Sequence, residues 1–324
     1  MTTVSDGLFQ YGGAPVGLPI AIGSAGVGRV FFVDPTNGAD GNDGKSPTRP
    51  LATIARAYAL ANSNYNDTIV LSANASHAVD SGGLTVAKNR VNFISADFHG
   101  RVVQQGAKVQ ANSSTDTAAF VIKNTGTRNT FSGIKFIQTS TDAAALTVGQ
   151  DGGEGALWDH CSFVFGVVDN LDQTTAHEFV AGSDSATYNE CLFGTETLLT
   201  SAARSVFLID QVTTSQEFKS NILKDCTWMI SSSSSTAVMI EVSATTDVLF
   251  TNLFRNPVFM ASVDSAGGAA ITNAVKSASG LVKGTLNFYM PASFHCTNFC
   301  AGVTDQVYIY GPSATTTAEA QVAS

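Results

Sequence analysis

Three residues of this 324-residue chain fall where carboxylate chemistry could be done: His160, Glu190 and Asp225. Each immediately precedes a cysteine, in Asp159-His160-Cys161-Ser162-Phe163, Asn189-Glu190-Cys191-Leu192-Phe193 and Lys224-Asp225-Cys226-Thr227-Trp228. If these segments stack in register as neighbouring strands, Glu190 and Asp225 lie about 5 Å apart. That approaches the carboxylate separation of retaining glycosidases. The alternative is structural, because the same column would also be the polar corner of a stacked coil.

A second group lies in Asp40-Gly41-Asn42-Asp43-Gly44, where Asp40, Asn42 and Asp43 are dense enough in oxygen for Ca²⁺. A twelve-residue EF-hand loop counted from Asp40 would end at Leu51, where a bidentate Glu is required. A turn held by Asx hydrogen bonds is the competing reading. Arg204, Lys219 and Lys224 lie near Asp210 and Asp225 with no motif tying them together, and His77, His99, His177 and His295 are isolated. Gly-x-Ser-x-Gly and phosphate-loop patterns are absent from the sequence. The expectation is therefore no assigned catalytic residue, no metal and no cofactor.

Composition narrows the partners. Charged residues are only 13%, against the usual quarter, and the net charge is −9 with a pI near 4.9. Lys and Arg are scattered along the chain, so nucleic-acid binding, which needs concentrated positive charge, is not expected. The 5 cysteines include no C-x-x-C pair, and Cys296 and Cys300 have no matching Cys/His pair for zinc. Most of them read as buried free thiols of a protein made in a reducing cytoplasm. No stretch reaches the roughly 20 apolar residues of a membrane span. The first basic residue is Arg29, so no positive leader region is visible.

The elements that position these residues come from a repeat. Ile134-Lys135-Phe136, Cys161-Ser162-Phe163, Cys191-Leu192-Phe193, Cys226-Thr227-Trp228, Leu253-Phe254-Arg255 and Leu286-Asn287-Phe288 align on an apolar-x-apolar core, with Val91-Asn92-Phe93 as an earlier copy. A period near 30 residues means a solenoid or propeller, and it is too short for propeller blades. Strand alternation puts first and third positions inside, so three cysteines should stack as an interior ladder. The outward positions include apolar Leu192 and Phe254, which would suit a partner surface. The polar pairs before the cores, Thr251-Asn252 included, read as coil corners.

Residues 31–71 contain a strand ending at Val33, a Gly/Asp/Asn loop, a short helix from Leu51 with apolar Leu51, Ile54, Tyr58 and Ala61, and a strand at Ile69-Val70-Leu71. A helix this short must pack on something, and the open end of a solenoid offers apolar surface and bare strand edges. This segment, through Val33-Asp34, Asn37-Gly38, Asp40, Asn42-Asp43-Gly44, Pro50, Ala52-Thr53-Ile54 and Ala57, resembles the opening of pectate-lyase-like β-helix proteins, especially those of phage virions. The expected fold is all-β, a right-handed parallel β-helix. Residues 1–30 would be an extended docking arm, 31–71 the cap, 72–312 the body and 313–324 a polar tail.

The arm is rich in Gly and Pro yet apolar, and Leu8, Phe9, Tyr11, Val16, Leu18 and Ile20 are its candidate partner-binding residues. The functional expectation is a non-enzymatic capsid decoration (cement) protein of a virion, docked on the major capsid protein or another virion protein. The resemblance implies a homotrimer. The alternative is a tailspike-type receptor-binding protein or glycan depolymerase.

Overall fold

The computed structural model describes residues 8–11, 14–17, 28–73, 75–80, 82–96, 106–111, 117–167, 172–212, 217–243, 248–263, 267–277, 283–301, 307–311 and 321–322. The body is the expected right-handed parallel β-solenoid, wound from one 12-stranded and two 8-stranded sheets. One coil shows the pattern: Leu157–Asp159 lies in the first sheet, Ser162–Phe165 in the second and His177–Ala181 in the third. The chain then enters the first sheet of the next coil at Thr187–Asn189.

Alternation within each strand feeds one interior column per sheet. In the first sheet Phe93, Phe131, Trp158, Tyr188, Leu223, Phe254 and Phe288 follow one another in register. In the second, Phe136, Phe163, Phe193, Trp228 and Phe259 do so, with successive ring centroids 5.3, 5.4, 5.4 and 5.1 Å apart. Coil spacing near 4.8 Å makes offset stacking of aromatic rings the natural filling of such a column. Gly149 heads the crowded part of the third sheet. A Cβ there would lie 2.6 Å from the Phe179 ring and 2.8 Å from that of Phe163.

The N-terminal end closes with the expected strand, helix and strand, but the helix begins at Ile54 and not at Leu51, which instead bridges to Val33. Strands Val30–Val33 and Thr68–Leu71 pair side by side, and between them lies a helix of 7 residues, Ile54–Leu60. Thr53 caps it by accepting from the Arg56 amide, while Leu51, Ile54, Ala57 and Ala61 are buried in the common core. Lys88 Nζ donates to the carbonyls of Tyr58, Ala59 and Ala61, satisfying acceptors that the helix end leaves open. Within the arm, Leu8–Tyr11 and Ala14–Gly17 form an antiparallel pair. Leu18 and Ile20 lie outside the described residues. In the tail, Gln321–Val322 pairs with the strand Val307–Tyr310.

Four copies of the sequence repeat occupy one sheet as expected, but the last two do not. Leu253-Phe254-Arg255 and Leu286-Asn287-Phe288 belong to the first sheet, as does Val91-Asn92-Phe93. The true partner of Trp228 is Phe259, and Asn256 takes the corner assigned to Asn252. The slip has a physical cause. Interior columns of both sheets hold aromatics, so an apolar-x-aromatic pattern does not say which sheet it lines. Phe254 is consequently fully buried and stacks on Phe288 at 4.4 Å, so it is no surface residue, whereas Leu192 is half-buried.

Candidate functional site

The turn from first to second sheet is a single left-handed residue in six successive coils: Gly133, His160, Glu190, Asp225, Asn256 and Met290, with φ of 69, 51, 49, 53, 49 and 54°. Each amide donates to the next coil, His160 N to Asn189 O, Glu190 N to Lys224 O and Asp225 N to Arg255 O, all at 2.8 Å. His160, Glu190 and Asp225 are therefore brought into one column, as their spacing suggested. Side chains then tie it laterally. His160 Nδ1 lies 2.8 Å from Asp159 Oδ1 and Nε2 lies 3.0 Å from Glu190 Oε2. Asp159 also accepts from Asn189 Nδ2 and Ser132 Oγ. Asp225 accepts from Asn256 Nδ2 at 2.8 Å and lies 3.5 Å from Lys224 Nζ. Sequence reading missed Asp159, although its place beside His160 was on view.

Chemically, the column offers a carboxylate, Glu190, backed by an imidazole that a second carboxylate orients. Such an arrangement can hold or shuttle a proton at Glu190 Oε2. The same contacts also neutralise charge along a corner ladder.

The cap loop uses its oxygens on itself. Asp40 Oδ1 accepts from the Ala52 and Thr53 amides and Oδ2 from Thr53 Oγ1. Asp43 Oδ1 accepts from the Lys45 amide, and Asn42 Nδ2 donates to Pro50 O. No cluster of three metal-ligating His, Cys, Asp or Glu side chains occurs among the described residues.

Two buried polar groups gave no motif signal. Glu178 and Arg204 form a bidentate pair at 2.6 and 2.7 Å, with side chains 0% and 2% exposed. Their only trace in sequence is a charge in a column that neighbouring coils fill with Val148, Val206 and Met239. Asp151, also fully buried, accepts from Asn124 Nδ2, Trp158 Nε1, Tyr188 OH and the Gly153 amide. Burial pushes its carboxyl up from the ordinary 3.8 even against these donors. Buried Ser183 links Tyr188 to Asn221, and Asn221 donates to Asn252, so a polar spine continues along the core.

The cysteine ladder forms as expected from Cys161, Cys191 and Cys226, all buried and unpaired by disulfides. Their sulfurs donate to the carbonyls of Phe131, Trp158 and Tyr188. Burial pushes the Cys161 thiol up to about 12.

One surface stands out as apolar. Outer positions of the second sheet run Ile137, Val164, Gly194, Met229, Met260 and Phe294, following the register of the interior aromatics. Phe294 is 52% exposed and the two methionines are half-buried.

No protein-family model matches the chain, and no curated protein matches it in sequence. Solved structures do resemble it. One is a pectate lyase, Pel9A, with TM-score 0.57 and 14% identity, covering 89% of this chain and 69% of that one. Another is the pectin methylesterase PemA from Erwinia chrysanthemi, with TM-score 0.54 and 12% identity over 92% and 93% of the two chains. A third is a pectin methylesterase in complex with a hexasaccharide, with TM-score 0.53 and 12% identity over the same shares. At this identity the likeness establishes the pectate-lyase-like β-helix fold.

Proposed function

We propose that this chain is a structural, non-catalytic protein of a bacteriophage virion, a capsid decoration protein that binds the shell as a homotrimer. The observation that carries this reading is the run of apolar outer positions on the second sheet, Met229, Met260 and Phe294, flanked by half-buried Leu192 and Val258; beyond Gly194 the same row continues into buried Val164 and half-buried Ile137. An apolar run on a sheet face suits protein contact, and methionines adapt to a partner's shape. The chemistry at the corner agrees, since its acids are already matched by His160, Lys224, Asn189 and Asn256. In this reading the arm docks on the major capsid protein or a neighbouring virion protein. Cryo-EM of the parent particle tests it: density on the shell with threefold symmetry is expected. Density at the tail tip with none on the shell overturns it.

A second reading, a tailspike-type receptor-binding protein or glycan depolymerase, draws on two facts. Glu190 is half-buried at the surface, with His160 3.0 Å behind it and Asp225 in the next coil. The fold is shared with proteins named for pectate and pectin. Under this reading Glu190→Gln with Asp225→Asn abolishes cleavage of a glycan that the wild type degrades; a wild type inert on a glycan panel removes it.

A further inference from the structure

His77, isolated in sequence, sits on the coil that the N-terminal cap covers. Its strand, Ser76–Val79, is the outermost of the second sheet and packs against the cap helix Ile54–Leu60. The side chain heads the interior column of that sheet and is 2% exposed. An ionisable ring thus occupies a place that the next coils give to Val109, Phe136 and Phe163.

Its surroundings fix its protonation. Nε2 lies 3.2 Å from the Ser72 carbonyl oxygen, which can only accept, so the ring's proton sits on Nε2. Nδ1 is then a bare lone pair, buried and without a hydrogen-bond partner among the described residues, and Ser72 Oγ is in the same position. A proton on Nδ1 would put a charge and an unsatisfied donor into an apolar layer. The elements packed around it turn apolar side chains inward: Ile54 and Ala57 from the helix, Ile69 and Leu71 from Thr68–Leu71, and Val109 from Ala107–Ala111. Among the described residues Asp34, at the start of the cap loop, is the charged group whose field reaches the ring. Burial outweighs it and pushes the imidazole down from the ordinary 6.5. The carboxylate of Asp34 is itself engaged, accepting from the Thr36 and Asn37 amides and from Asn37 Nδ2.

We infer that His77 is an acid-operated latch: protonating its ring opens the N-terminal cap and leaves the rest of the solenoid wound. The imidazolium can be satisfied in two ways. It takes up water, which requires the cap to lift from the strand Ser76–Val79. Or it draws Asp34 inward, which breaks the bonds that hold the turn from Asp34 to Asn37. Both loosen the same segment, an opening far smaller than global unfolding. The lifted cap bares the edges of Ser76–Val79 and Leu84–Val86, the outermost strands of two sheets, so acid converts a sealed end into one that can accept a further strand. The open form binds a proton that the closed form does not, so the cap is firm above pH 6.5 and loosens as pH falls below it. The latch stands apart from the assembly reading and requires no partner.

Amide hydrogen exchange of the full-length chain tests it, expressed as protection factors so that the intrinsic pH dependence of exchange drops out. Between pH 7 and pH 5.5, protection in Ile54–Leu60 should fall about tenfold, the most that one proton can supply, while Ser162–Phe165 holds. His77→Gln keeps an amide donor for the Ser72 carbonyl but cannot titrate, and should abolish the fall. His77→Phe, whose ring suits the aromatic column, tests the same point without a buried amide. Asp34→Asn removes the charge that favours the imidazolium and should move the loosening to lower pH. His177→Gln, which removes a buried histidine of another coil, should leave the response of the cap unchanged. A cap equally protected at both pH values, a fall that persists in both His77 variants, or an equal fall in Ser162–Phe165 each overturns the inference.

Discussion

Glu190 holds φ of 49° at a corner where Gly133 and Asn256 occupy equivalent places in other coils. A glutamate gains nothing there from local hydrogen bonding, and the left-handed region costs a non-glycine residue about 1–2 kcal/mol, less for Asn and Asp. Its contact with His160, half open to solvent on the glutamate side, offsets about 1 kcal/mol. If the column is purely structural, Glu190→Asn should raise stability by up to about 1 kcal/mol, read by urea denaturation. A clear loss would mean that the His160–Glu190 pair outweighs the strain and has been kept for some other task. Asp151 gives the opposite kind of test. Its pKa is raised on folding, so its contribution to stability is complete below the ordinary 3.8 and is lost as pH rises through the raised value. Relative to Asp151→Asn, the wild type should therefore lose stability as pH climbs from about 4 toward neutrality. A difference curve that is flat or rises with pH would mean that the donors from Asn124, Trp158 and Tyr188 overcome burial.

At the scale of the element, the coil is a layer of rings with little spare volume. Gly149→Ala places a methyl within 2.6–2.8 Å of the Phe179 and Phe163 rings, and overpacking of this kind costs about 1–3 kcal/mol. The melting temperature should fall, and Gly149→Ala combined with Phe179→Leu should recover part of the loss. No recovery would show that the backbone, and not the ring, sets the limit. The thiol ladder makes a second element-level prediction: Cys161, Cys191 and Cys226 should resist alkylation until the chain unfolds, because all three are buried out of reach of the reagent, and burial also suppresses the thiolates of Cys161 and Cys191. What sequence revealed about these elements follows from the same packing. Cys-x-aromatic cores, polar corners and the cap helix were legible because alternation and turn chemistry are local. The sheet membership of Leu253 to Arg255 was not, because two columns share one residue pattern and only loop length separates them. The Glu178–Arg204 pair was also hidden, since a buried charge and a surface charge look alike until the register places one between Val148 and Val206.

For the whole molecule, a solenoid is stabilised largely by contacts between neighbouring coils, so its two ends need not be equally firm. The N-terminal end is sealed by the helix Ile54–Leu60, whose buried face joins the core. At the other end the second and third sheets finish on Ala292–Phe294 and Cys296–Ala301, with Met290 57% and Phe294 52% exposed. Residues 136–324, which include this end, carry 6 Lys/Arg against 18 Asp/Glu, a net −12, and like charges held on coils about 4.8 Å apart repel within a Debye length. Opening should therefore begin at the C-terminal coils. Amide hydrogen exchange should be slowest in strands such as Ser162–Phe165 and Ser205–Ile209, and fastest in Ala292–Phe294 and Cys296–Ala301. Added salt should slow exchange at the acidic end more than at the capped one, because screening relieves repulsion only where charge of one sign accumulates. Uniform protection that falls everywhere at once would mean that the chain unfolds as a single unit, and that the polar spine from Asp151 to Asn252 couples the ends more strongly than charge divides them.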